Sequence, residues 1–277
     1  MYESFYGLKQ KPFTLLPDPE FILPTHQHRT AMMMLEYALF NGAPFCVITG
    51  EVGTGKSVLV RNLLNHLEHG ITAGLITNTQ ASIAELLQWV LMAFNLDFKG
   101  KTKVELYQTL VNFINTEYAN NRRTVLIVDE AQNLGLQTLE ELRMLSNINA
   151  GKNQLLQMML VGQHQLRELL RKPELEQFAQ RIVVNYHLEP LTKEETENYI
   201  HHRLRVAGAE NIRLFSESAC GSVYEYSGGV PRLINMLCDL ALVYGYAEEA
   251  ELIGAEHIHS VAQDRLKHGI APLKKKV

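Results

Sequence analysis

A chain of 277 residues, 46% apolar and 20% charged, has ample core for one large domain or two modest ones and too little polarity for extensive disorder. Its net charge of −4 with histidines neutral argues against a dedicated polyanion binder while leaving room for a local basic face. No window approaches about 18 uninterrupted apolar residues, and Glu3 and Lys9 break up an N-terminus without an apolar core, so neither a membrane-spanning helix nor a signal peptide is expected. Three scattered cysteines, Cys46, Cys220 and Cys238, without a C-x-x-C pair, fit packing roles in a reducing compartment, and a cytoplasmic location is expected.

Residues 1–30 hold Phe5, Tyr6, Pro12, Phe13, Pro17, Pro19, Phe21 and Pro24 without helical or strand period. This pattern predicts an extended arm packing on the α/β core that follows it, because so many aromatics are not left in water. Simple packing and a lid over a nucleotide base, with His28 near it, are both open readings. A helix over 29–41 leads into the most informative stretch of the chain, FCVITGEVGTGKS at 45–57. Phe45–Thr49 form a short uncharged run, the mark of a strand covered on both faces in a parallel sheet. Gly50, Gly53 and Gly55 permit a turn whose backbone N–H groups converge on an anion. Lys56 and Ser57 then open a helix, whose N-terminus favours negative charge. The spacing G-x-x-x-x-G-K-S is the full P-loop pattern in its required strand-turn-helix setting. Gly50, Glu51, Val52, Gly53, Thr54, Gly55, Lys56, Ser57 and Val58 are therefore the expected nucleoside triphosphate-binding residues.

The helix at 56–67 is followed by an apolar run at 71–77. Ser82 and Glu85 form a capping signal for a helix over 83–95, in which Trp89, Leu86, Leu87, Val90 and Phe94 make a core stripe. A further amphipathic helix is predicted over 103–118. The stretch TVLIVDEAQ at 124–132 then reads as a buried strand ending in Asp129 and Glu130. Acids at the carboxyl end of such a strand lie at the rim where parallel sheets bind ligands. Mg²⁺ prefers oxygen ligands, so Ser57 and Asp129 are the expected metal residues, and Glu130 is the expected base for an attacking water. A helix over 137–148, a strand over 155–161 ending at Gly162-Gln163, a short helix at 164–171 stopped by Pro173, and a fifth strand at 182–187 complete the alternation. Such alternation predicts a three-layer α/β sandwich with a five-stranded parallel sheet.

At Leu191 the pattern becomes purely helical, opening on a Thr192–Glu195 capping box, with helices expected near 193–207, 216–226, 231–246 and 255–267. Gly228-Gly229-Val230-Pro231-Arg232 breaks and restarts a helix, so Arg232 falls in an opening turn, where a cation opposes the helix dipole. The expected division is an arm at 1–30, an α/β domain at 31–190, a helical lid at 191–268 and a flexible basic tail at 269–277.

From Phe5-Tyr6-Gly7-Leu8 through GEVGTGKS, DEAQNL, LVGQ and QRI to GGVPRLIN, the chain resembles the AAA+ ATPases, and within them secretion-type ATPases of the ExeA/GspA kind. The resemblance implies that Gln163 is sensor 1, Arg232 sensor 2 reaching from the lid, and Arg181 an arginine finger acting on the ATP of a neighbouring subunit. It further implies a ring or helical homo-oligomer, hexameric by family analogy, with ATP and Mg²⁺ as cofactors. Longer relatives continue into a transmembrane helix and a peptidoglycan-binding domain; this sequence stops at Val277 with neither, and either a truncated chain or a stand-alone cytoplasmic member is expected. The leading expectation is an ATPase that drives assembly of a secretion, pilus or polysaccharide-export apparatus, with a protein of that apparatus as partner. The alternative is a DNA-binding regulator of transposition, for which Lys99, Lys101 and Lys103 would supply a basic strip. A slow nucleotide switch is a third reading.

Overall fold

The structure, a computed structural model, describes residues 1–15, 18–66, 70–77, 86–150, 153–268 and 273–274. Contacts group the chain into two compact units, one of His26–Gly50 with Leu59–Leu188, the other of Met1–Thr25, Glu51–Val58 and Glu189–Val277.

The first unit is built on a five-stranded sheet, as the alternation of apolar runs and amphipathic stretches requires. Strands β1 (Phe45–Gly50), β2 (Ile71–Ile76), β3 (Arg123–Val128), β4 (Leu156–Gly162) and β5 (Ile182–Leu188) lie in the order β2-β3-β4-β1-β5. Every neighbouring pair is parallel. Successive residues of a strand point to opposite faces, and the burial follows that rule. Phe45, Val47, Leu126, Val128, Met158 and Leu160 belong to one apolar cluster, and Cys46, Ile48, Val125, Ile127, Met159 and Val161 to another. The second face is covered by α1 (His26–Phe40), through Leu35 and Leu39, and by α2 (Lys56–His66), through Leu59 and Leu63. The first is covered by α3 (Leu86–Ala93), α4 (Lys103–Ala119), α5 (Leu136–Leu145), α6 (His164–Leu170) and α7 (Glu176–Ala179). Phe178 of α7 stacks on Phe45 with ring centroids 4.3 Å apart. Helices on both faces make the expected three layers.

Local departures have local causes. The helix expected to 148 ends at Leu145, because Ser146 turns its hydroxyl onto the Arg143 carbonyl at 2.6 Å and competes with the helical ladder. Before β4, Asn149–Ala150 pairs antiparallel with Asn153–Gln154. Trp89 is partly buried against the first cluster, whereas the Ser82–Glu85 capping signal lies outside the described residues. Thr102 and Glu105 form a capping box on α4 that the sequence reading did not single out.

The second unit is a helical bundle of α8 (Lys193–Val206), α9 (Glu217–Ser227), α10 (Pro231–Ala247) and α11 (Ala255–His268). Thr192 caps α8 in a full capping box, and Gly228 ends α9 in the left-handed region. Gly229 has no alternative: at φ +77° a Cβ would stand 1.9 Å from the Leu191 carbonyl, while Leu191 N–H donates to the Gly229 carbonyl at 2.8 Å. The aromatic arm was expected on the α/β domain. Instead Tyr2, Tyr6, Phe13 and Phe21 lie in one cluster with Ile200, Leu204, Phe215 and Leu237 of the bundle. Arg203 explains the anchorage. Its guanidinium is buried, donates to the Pro12 carbonyl and to Tyr199 Oη at 2.9 Å, and lies 4.5 Å from the Phe21 ring centre. Cys46, Cys220 and Cys238 are free and buried, and burial pushes the thiols of Cys46 and Cys220 up to about 12, so neither is a nucleophile at neutral pH. Among the described residues no helix is long and apolar enough to cross a membrane.

Candidate active site

The P-loop begins where β1 ends. All six residues of β1 are buried, and Thr49 is fixed by its hydroxyl, 2.8 Å from His187 Nδ1 on the neighbouring strand. The turn that follows needs its glycines, since Gly53 and Gly55 take φ of +83° and +99°. The Glu51 carbonyl organises the turn, accepting from Thr54 Oγ1 at 2.9 Å and from Lys56 Nζ at 2.7 Å. A buried ammonium requires an acceptor, and Lys56, only 7% exposed, finds it within its own loop. Lys56 and Ser57 occupy the first turn of α2, the end of a helix whose dipole favours negative charge.

Arg232 belongs to the same unit as this loop. Its backbone N–H donates to the Gly53 carbonyl at 3.3 Å, and a Cβ on residue 53 would lie 2.6 Å from the Arg232 Cβ. Pro231 starts α10, which sets Arg232 in the opening turn expected for it, with an exposed side chain. Lys274, expected in a flexible tail, ion-pairs with Glu51 and donates its backbone N–H to the Tyr226 carbonyl at 3.0 Å. The tail residues Lys275 and Lys276 lie outside the described residues.

In the sheet unit, parallel strands bring Gly50, Asp129 and Gly162 out at one edge. Asp129 Oδ1 accepts the Glu130 N–H at 2.9 Å, and Glu130 sits at φ +52°, a strained conformation of the kind that clusters at functional positions. Glu130 Oε2 accepts from Gln163 Nε2 at 3.2 Å and from Gln132 Nε2. The structure thus joins two residues that the sequence singled out, Glu130 and Gln163, and adds Gln132, which it did not. Only an amide two residues beyond the acid pair hinted at Gln132. Among the described residues no cluster of three or more His, Cys, Asp or Glu could hold a metal. Ser57 in one unit offers a hydroxyl and Asp129 in the other a carboxylate, each an oxygen donor of the type that Mg²⁺ prefers.

Arg181 follows α7 and donates to Ser146 Oγ at 2.6 Å and to Asn147 Oδ1 at 2.7 Å, so in the single chain it braces the end of α5. His28, the residue considered for a base lid, lies in the first turn of α1. Of the lysines considered for a basic strip, Lys101 pairs with Asp97 at 3.4 Å and Lys103 with Glu141 at 3.3 Å.

Residues 40–170 match the AAA domain family. The chain is 37% identical over 254 residues to general secretion pathway protein A of Aeromonas hydrophila, covering 91% of this chain and 46% of that protein, so it spans about half the length of this relative. Solved structures share the fold. The Aeropyrum pernix ORC2 protein in its ADPNP-ADP complexes matches with a TM-score of 0.67 at 15% identity, over 92% of this chain and 72% of that one. Cdc6p from Pyrobaculum aerophilum matches with a TM-score of 0.66 at 16% identity, over 95% and 70%. With its P-loop, its parallel sheet and its helical C-terminal region, the chain belongs to the AAA ATPases, in the group that resembles general secretion pathway protein A.

Proposed function

We propose that this chain is a Mg²⁺-dependent ATPase that works as a homo-oligomer to drive assembly or regulation of a secretion, pilus or exopolysaccharide-export system. The observation that carries the proposal is the P-loop, whose Gly53 and Gly55 adopt left-handed conformations between a fully buried strand and a helix that opens on Lys56 and Ser57. In this reading the loop and Lys56 bind the phosphates, and Ser57 and Asp129 hold Mg²⁺, which would neutralise charge on the phosphates. Glu130 accepts the proton of the attacking water. Gln163 senses the terminal phosphate and Arg232 contributes from the helical unit. The export role rests on the 37% identity to a protein named for general secretion.

Arg181 is the proposed finger for a neighbouring copy's ATP. Its hydrogen bonds to Ser146 and Asn147 give it a defined resting place from which it would have to extend. A cation supplied between subunits is worth roughly 10³–10⁵ in rate in other NTPases, so shared sites have a clear signature. Arg181→Ala and Glu130→Gln proteins, each inactive alone, should recover turnover when mixed, because some interfaces then combine an intact Glu130 with an intact Arg181. Absence of recovery at every mixing ratio would remove the shared-site reading. The DNA-directed alternative draws less support, since Lys101 and Lys103 are each paired with a carboxylate.

A further inference from the structure

We propose that Gln132 is a positioning residue for hydrolysis, a two-ended amide that sets the Glu130 carboxylate against the end of β4; the proposal rests on Glu130 being the base. At one end Gln132 Oε1 accepts the backbone N–H of Gln163 at 3.0 Å. At the other its Nε2 donates to Glu130 Oε2. The orientation of this amide follows from its partners. A backbone N–H can only donate and a carboxylate acceptor needs an N–H, so the oxygen must face Gln163 and the nitrogen Glu130. Fixing both ends removes rotational freedom that a single hydrogen bond would leave.

Three surrounding features fit this role. Gln132 stands in a short 3-10 turn, Ala131–Asn133, that begins on the left-handed Glu130, so backbone strain and amide act on the same side chain. Gly162, the last residue of β4, makes room for the amide, because a Cβ there would lie 2.8 Å from Gln132 Oε1 as well as 2.9 Å from Leu166 Cδ2. Gln163 adds its own Nε2 to the same Glu130 oxygen at 3.2 Å. The carboxylate is thus tied to the end of the neighbouring strand by a direct amide and through Gln132. The strand end that carries the proposed phosphate sensor is thereby coupled to the base by groups of this chain alone.

The test compares Gln132→Ala and Gln132→Glu with wild type. The glutamate variant keeps an acceptor for the Gln163 N–H and loses the donor to Glu130, so it separates a brace of the strand end from a guide of the base. If Gln132 positions Glu130, both variants lose about 10–100-fold in kcat, part of what a well-placed base contributes, while KM and nucleotide affinity stay within about twofold. A glutamate variant with wild-type kcat, or losses confined to KM, would overturn the assignment. A second readout does not need turnover. In crystals of nucleotide-free protein, Glu130 should hold one conformer in wild type and spread over several in Gln132→Ala; an unmoved carboxylate in the variant also overturns the proposal. A wild-type protein that binds ATP and never hydrolyses it would instead refute the ATPase reading, and the crystals would still decide the role of Gln132.

Discussion

The two ends of the proposed chemistry are built by different means. The phosphate loop is held by backbone groups and by glycines: the Glu51 carbonyl gathers Thr54 and Lys56, and Gly53 admits Arg232. The acid end is held by side chains, with two amides meeting on one oxygen of Glu130. A loop fixed by its main chain tolerates change at its variable positions but not at its glycines. A carboxylate fixed by amides keeps its fold when they change and loses its aim. The first design governs binding, the second governs rate.

Removing the acid tests that division most severely. Glu130→Gln should lower kcat by roughly 10²–10⁴-fold, the usual contribution of a general base, and leave nucleotide affinity near wild type. Single-turnover measurements with equilibrium titration check it, and a variant that hydrolyses ATP at the wild-type rate would show that the base is elsewhere. On the loop side Gly53→Ala adds a side chain at φ +83°, 2.6 Å from the Arg232 Cβ. A left-handed alanine costs about 1–2 kcal/mol, which the loop relieves by leaving the conformation that receives phosphate, so nucleotide should bind about tenfold more weakly, and kcat should fall as well to the extent that Arg232 is displaced. Titration with a fluorescent nucleotide reads this directly. An affinity equal to wild type would mean that the loop does not use this conformation with ligand bound.

The smallest expected effect concerns neither end and serves as a baseline for the sheet unit. Glu117 is gripped by Arg122 at 2.6 and 2.7 Å and also accepts from Thr72 Oγ1. The hydrogen bonds from Arg122 hold its carboxyl below the ordinary value of about 4.5, against the opposing effect of burial. A depressed value in the folded state means a contribution that is complete above the ordinary value and lost as pH falls through the folded one. The melting temperature of Glu117→Gln should therefore lie below wild type at pH 7, with a narrower gap at pH 4. A gap that widens in acid would reverse the sign and the assignment.

The division also explains what could be read from residues alone. Gly50, Gly53, Gly55, Lys56 and Ser57 impose their requirement on consecutive positions, so spacing reveals it. The five strands were legible for a related reason, each carrying a short run of apolar or β-branched residues. Gln132 and Gln163 meet 31 positions apart, and nothing in either neighbourhood announces the other. Arg181 finds Ser146 and Asn147 across a comparable separation, through a helix end that shifted by three residues from its expected place. Composition suggested that the N-terminal aromatics would be buried, but composition carries no direction: Tyr6, Phe13 and Phe21 went to the helical bundle, and Phe5 stayed exposed. Gly228-Gly229 was visible as a break, whereas the reason for the second glycine, the Leu191 carbonyl, belongs to tertiary contact.

That destination of the arm has a practical consequence. Pro12 and Thr14 supply acceptors to Arg203, which shares its pocket with Phe21 and Tyr199. Expressing the helical segment from residue 191 onward would strip a sequestered guanidinium of main-chain oxygen and open the surface on which Phe13 rests. The bundle is therefore a discontinuous module whose first piece is made well before its last, and a fragment meant to fold alone must carry both.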